Sequence, residues 1–435
     1  MTKTDFNQLY NNFTNIAMEA RISFRIKKLL FELPSSEDGF NKLITTIQET
    51  NITKAQALND IEDFFLTMKY CYSGYEYFSR RIDFDTLKRN IIDLLEKSSN
   101  AYISSIALGE MIFNQLSGHL NDGHFSIIGF GNFLTSWRAY VTQIVVEKDG
   151  GKYRVIKGSR KLPIGTVIEH SDLAGKLLPT LIIGNHYDCF LIGIYSQKVI
   201  NEINVGDVVL RTHMIGADKY VKENSGYLQK YEEHRDYNVF FSKSYQIDYN
   251  PEAILDEYYQ FGKKCRNKKI TIFDVAGNQG GNSRFPQSFI KGLNEYAYWQ
   301  SGCAVLVNPV FNPQSKGKSY QIESTPQEYD NNKGQYKGTL YVIMNKGTTS
   351  SGEAAVSYAK SCPNSIFLGS ATGGIGTFGD VKHYRLRNSK LLFQFGHKIF
   401  YMPNYEEGKG FIPNYWLDSK NPWLYLKRYL KHSKN

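Results

Sequence analysis

Residues 340–361 read LYVIMNKGTTSSGEAAVSYAKS. An apolar run ends at Asn345, Lys346-Gly347 makes a tight turn, and Thr348, Thr349, Ser350 and Ser351 lead into an Ala-rich helical stretch. A serine at such a strand-to-helix junction stands at a sheet edge, beside the free N–H groups of the helix's first turn. Those groups can stabilise an oxyanion. The same hydroxyl residues are ordinary N-cap candidates, and the segment alone leaves both readings open.

The flanking sequence repeats the strand–helix alternation. KKITIFDVAG (268–277) reads as a buried strand, SFIKGLNEYAYW (288–299) as a helix and SIFLGS (365–370) as another strand. This predicts a layered α/β domain with a largely parallel sheet over 251–435. In such sheets ligands sit where strands give way to helices. Within ITIFDVAGNQGGNSRF (270–285), the strand delivers Asp274 into a glycine-rich turn. Its spacing matches neither the dinucleotide fingerprint nor the P-loop, so a backbone donor site and a plain turn both stay open.

Residues 1–124 are patterned as helices. In DFDTLKRNIIDLLEK (83–97), Phe84, Leu87, Ile91, Leu94 and Leu95 share a stripe, and Asp83 is placed to cap it. A second stripe (Leu108, Ile112, Leu116, Leu120) ends at Asn121-Asp122-Gly123, and His124 follows at the head of FSIIGF. Residues 125–250 read as a mostly β region, with WRAYVTQIVVEKDGGKYRVI, GTVIEH, LIIG and VGDVVLRTHMIG as its strand-like runs.

The chain has 435 residues, 41% of them hydrophobic and 22% charged, which is globular composition. The net charge of +10 favours acidic partners, but no nucleic-acid reading motif accompanies it, and nucleic acid is not an expected partner. No stretch approaches the ~20 apolar residues of a membrane span, and no signal peptide is visible, which leaves the compartment open. Five scattered cysteines without CxxC spacing read as reduced thiols. The histidines other than His124 show no ligand spacing, and neither a metal nor another cofactor is expected.

Four segments taken in order resemble the tail-specific (C-terminal processing) protease family and its tricorn-like relatives. They are NDGHF (121–125), DVAGNQGG (274–281), TTSSGEAA (348–355) and EGKGFIPN (407–414). VGDVVLRTHMIG (205–216) is similar to part of a degenerate PDZ-like domain. The resemblance implies a ClpP/crotonase-like α/β core over 251–435, an N-terminal helical region over 1–124 and an inserted, mostly β PDZ-like region over 125–250.

It also implies site roles. Ser350, three residues before Glu353, matches the nucleophile. The lysine that many family members pair with the serine falls here on Ile375, so the resemblance is to the lysine-less branch, with His124 as general base. Glu407 matches the acid that orients the histidine, with Glu406 beside it as an alternative. The oxyanion donors would be the backbone N–H groups of Gly280 (Gly281 as second choice) and Ser351. The family's Arg is Ala276 here, and its Asp after Pro is Asn414. The implied activity is a serine endopeptidase acting on unstructured peptides, unfolded protein or C-terminal tails. A non-catalytic peptide- or ligand-binding protein on the same scaffold is the alternative.

Overall fold

The parallel strands anticipated around the serine pair in register. In the computed structural model, which describes residues 1–11, 15–32, 49–184, 188–215, 229–246, 250–297, 301–326 and 334–432, they belong to a six-stranded sheet. We number its elements in chain order: β1 Gln229–Glu233, β2 Asn238–Ser242, α1 Pro251–Arg266, β3 Ile270–Asp274, α2 Arg284–Asn294, β4 Thr339–Met344, α3 Ser351–Ala359, β5 Ser365–Gly369, β6 Tyr415–Trp416 and α4 Pro422–His432. β2 through β6 are parallel neighbours in that order, and β1 closes one edge as the antiparallel partner of β2.

Alternation along the strands makes the layers. Phe240 and Phe273 stack on each other on one face, where both pack against Phe289 of α2 and Phe240 meets Tyr258 of α1 edge-on. Phe241, Ile272, Ile343 and Leu368 join the opposite face with Leu426 and Leu430 of α4. Helices on both faces make this the expected layered α/β core. α2 is shorter at its end than its sequence predicts. It stops at Asn294 because Glu295 turns to φ 59° and the Asn294 amide bonds the carbonyls of Tyr296 and Ser361. Residues 298–300, His186 and Gly216 lie outside the described residues.

Packing divides the chain into two units, each discontinuous in sequence. One comprises Met1–Thr135, Gln300–Gln327 and Ile375–Gly408, and the other Ser136–Trp299, Glu328–Gly374 and Lys409–Asn435. The second holds the core sheet and an antiparallel sheet in the order Leu177–Thr180, Cys189–Ser196, Arg138–Asp149, Lys152–Lys157, Val167–Glu169, with a separate Glu202–Val205/Val208–Arg211 hairpin. The LIIG run at 181–184 is not a strand. The strand ends at Thr180, and Leu181 packs instead into the apolar cluster around α4.

In the first unit, helices Lys54–Cys71, Phe84–Lys97 and Ser105–Leu116 share one apolar core with strands Phe378–Arg385 and Leu392–Tyr401. Asp83 caps its helix as expected, its Oδ1 accepting from the N–H groups of Asp85 and Thr86. Tyr72, Phe125, Phe378 and Phe395 form the aromatic centre of this core. Buried Asp63 joins the helical and strand layers by accepting from Arg25 and Arg387, and Asp60 accepts from Asn388 and Ser389. The five cysteines are buried and none is in a disulfide.

Candidate active site

β4 ends at Met344, and the next residues are locked one by one. Asn345 Oδ1 accepts the N–H groups of Gly277 and Gly347 at 2.8 and 3.0 Å. Thr348 Oγ1 donates to Val275 O at 2.8 Å, and Thr349 Oγ1 to Gln279 O at 3.1 Å. Ser351 Oγ donates to Gly281 O at 2.5 Å. The remaining hydroxyl of the four, Ser350, occupies the N-cap position of α3 but makes no capping hydrogen bond. Its backbone sits at φ 53°, ψ −123°, a region that L-residues avoid. The cap reading therefore does not account for this serine, whose hydroxyl is left unspent among the described residues at a strained turn.

The glycine-rich turn after β3 runs alongside. Thr349 N donates to Asn278 O at 2.9 Å, and Asn278 Nδ2 donates to Ser242 O at 3.0 Å, tying the turn to β2. Gly280 (φ 103°) comes so close that a Cβ there would lie 2.8 Å from Ser350 Cβ and 2.9 Å from Ser351 N. Gly280, Ser350 and Ser351 are thus brought together. The expectation for the Gly280 N–H needs correction, because it already donates to Asn278 Oδ1 at 2.9 Å. No described residue accepts from the N–H groups of Gly281 or Ser351. Gly280→Ala should cut peptide turnover by about 10²-fold or more by displacing the serine. Native-like circular dichroism with full activity would contradict that account.

Asp274 is fully buried and paired with Lys243 Nζ at 2.9 Å, and the same ammonium reaches Ala276 O at 3.0 Å. Lys243 thus brings a cation to the turn in which Ala276 replaces the family's arginine. Glu353 is buried as well, accepting Thr372 Oγ1 at 2.5 Å and Gly374 N at 2.9 Å. It pins the first turn of α3 to the loop after β5.

His124 and Glu407 belong to the other unit. Asp122, buried, organises the histidine's loop: its Oδ1 accepts the N–H groups of His124 and Phe125 at 2.7 and 3.1 Å, and its Oδ2 accepts the Tyr72 hydroxyl at 2.8 Å. Burial raises the Asp122 carboxyl to about 6. The His124 Nδ1 is buried without a hydrogen-bond partner among the described residues. Burial holds the imidazole down to about 4, against a smaller opposing effect of a backbone hydrogen bond with Phe378. The ring is therefore neutral at pH 7. Ile375 packs on Gly123 in the same loop.

Glu407 is buried, whereas Glu406 is exposed. The Glu407 carboxylate accepts three backbone N–H groups, those of Gly123 at 3.1 Å, Gly376 at 3.1 Å and Thr377 at 2.8 Å, and its carbonyl accepts Asn121 Nδ2 at 2.9 Å. Its described contacts thus hold the histidine's loop against the start of strand Phe378–Arg385. The roles of Asp122 as loop clamp and Asn278 as turn clamp went unread in the sequence, although both residues lie inside the quoted motifs. Among the described residues no group of His, Cys, Asp and Glu could hold a metal ion, and no helix is long and apolar enough to cross a membrane.

Residues 245–416 match the model of peptidase family S41. The matched segment runs from the bridge residue Tyr245 to β6, includes both the glycine-rich turn and the Ser350 elbow, and supports a serine-type peptidase. No curated protein matches this chain by sequence. Among solved structures it is similar to mature CPAF in complex with lactacystin (12% identity, 88% of this chain and 99% of that one, TM-score 0.48). Others are a peptidase from Parabacteroides merdae (11%, 84% and 90%, TM-score 0.44) and the tricorn protease (15%, 88% and 37%, TM-score 0.40).

Proposed function

We propose that this chain is a serine peptidase that hydrolyses peptide bonds in unstructured peptides, unfolded protein or C-terminal tails through an acyl-enzyme on Ser350. The observation that carries the reading is the unspent Ser350 hydroxyl at a positive-φ turn, where its three neighbouring hydroxyls are all committed. Ser350 Oγ attacks the substrate carbonyl carbon and its proton passes to His124. The oxyanion is met by the Ser351 N–H, with that of Gly281 as second donor. Collapse breaks the C–N bond, and His124 returns the proton to the leaving amine. Water then repeats the sequence on the ester, again with His124 as base, and frees Ser350. Glu407 acts as a positioning residue by fixing the histidine's loop.

A fluorophosphonate probe tests this directly. Labelling should map to Ser350 and be lost in Ser350→Ala and His124→Ala. Absence of labelling in the folded protein would overturn the hydrolytic reading in favour of a binding protein.

A further inference from the structure

Beside the turn that carries Ser350, a cleft of about 200 Å³ opens at the carboxyl ends of β4 and β5. Its floor includes Lys346, Ser370 and Ala371, and its walls include Trp137, Tyr195 and Trp416. Carboxyl ends of parallel strands are where this fold class receives ligands. The polar groups around the cleft are mostly donors, and no Asp or Glu lines it. The Arg138 side chain lines it and makes no ion pair or hydrogen bond among the described residues. The Trp137 Nε1 is buried without an acceptor. Lys346 Nζ donates to Thr372 O at 3.3 Å, and Lys409 Nζ stands 5.0 Å over the Trp137 ring.

The Arg138 guanidinium, half-buried beside aromatic rings, presents forked charged donors to the cleft. That guanidinium is answered by one kind of guest: a carboxylate on a short apolar stem. We propose that this cleft is a specificity pocket for an acidic side chain of the peptide substrate, with Arg138 its principal determinant. The stem lies against Tyr195, Trp416 and Met214, and the carboxylate is met by Arg138, which suits it geometrically by its forked donors. The chain's net charge of +10 draws the same class of partner. This proposal deepens the peptidase reading and rests on it for the identity of the guest as a peptide.

The test uses full-length Ser350→Ala protein, so that binding is read without turnover. A single Glu is walked through an otherwise neutral fluorescent peptide, acetylated and amidated at its ends, with Gln at the same positions as control. Fluorescence anisotropy should show one position at which Glu binds about 10- to 100-fold more tightly than Gln. Adding Arg138→Gln should abolish the preference, and adding Arg138→Lys should restore part of it. The inference falls if no position prefers Glu, if Arg138→Gln leaves the preference intact, or if only peptides with a free terminal carboxylate bind. If these peptides fail to bind while Ser350 is still labelled by fluorophosphonate, the pocket inference alone is lost.

Discussion

Replacing Ser350 by alanine or by glycine should lower peptide hydrolysis by on the order of 10⁴–10⁶-fold, the scale of losing a serine nucleophile. The two variants should then part in stability. Alanine inherits the φ of 53° that serine now bears, whereas glycine reaches positive φ without a Cβ clash. Ser350→Gly should be more stable than Ser350→Ala by roughly 1–2 kcal/mol. Urea unfolding of both variants, alongside turnover of a fluorogenic peptide, reads the two effects separately. An alanine variant that keeps its activity would remove Ser350 from the chemistry. Equal stability of the two variants would mean the turn stores no strain.

His124→Ala should lower kcat/KM by about 10²–10⁴-fold, the usual share of a general base. The pH profile carries more information. An exposed histidine base would lose half its activity near pH ~6.5. Burial of His124 lowers its affinity for a proton, to a pKa of about 4, so the neutral base persists into acid. The acid limb of kcat/KM should lie well below that of an ordinary histidine, with hydrolysis near its plateau at pH ~5.5. The same depression has a stability consequence of fixed sign. The unfolded chain binds the His124 proton more readily, so this contribution to stability is complete above the unfolded pKa of ~6.5 and is lost as pH falls from there towards about 4. An acid limb at ~6.5 or higher would contradict the buried-base account. A limb unchanged by His124→Ala would assign it to another group.

Much of the core was legible because its signals are local. An apolar run, a Lys-Gly turn and an Ala-rich stretch over 340–361 specify strand, turn and helix by periodicity alone, and β4 and α3 form there. The helix capped by Asp83 follows the same logic, since a cap joins residues only a few apart. The end of α2 was misread because Tyr296 and Ala297 suit a helix by composition. What stops it is a side-chain bond from Asn294 to the carbonyl of Ser361, a partner far along the chain. The LIIG run failed similarly, since apolar residues that pair in a sheet and those that pack on a helix look alike in sequence.

The site divides along the same line. By itself the sequence determined the layered α/β core and the residue types at the S41 turns, because strand and helix periods and turn chemistry are properties of neighbouring residues. The tertiary structure alone decided which hydroxyl is left unspent. Thr348, Thr349 and Ser351 are committed to carbonyls of the Val275–Gly281 turn, and only folding brings that turn to them. It also decided that Glu407 rather than Glu406 is buried, and that Gly280 lends its closeness but not its N–H. It placed strands Phe378–Arg385 and Leu392–Tyr401 with the N-terminal helices, through an aromatic core spanning residues such as Phe64 and Phe393. The reason is physical: burial and hydrogen-bond satisfaction depend on groups distant in the chain, and sequence pattern carries no record of which distant group arrives.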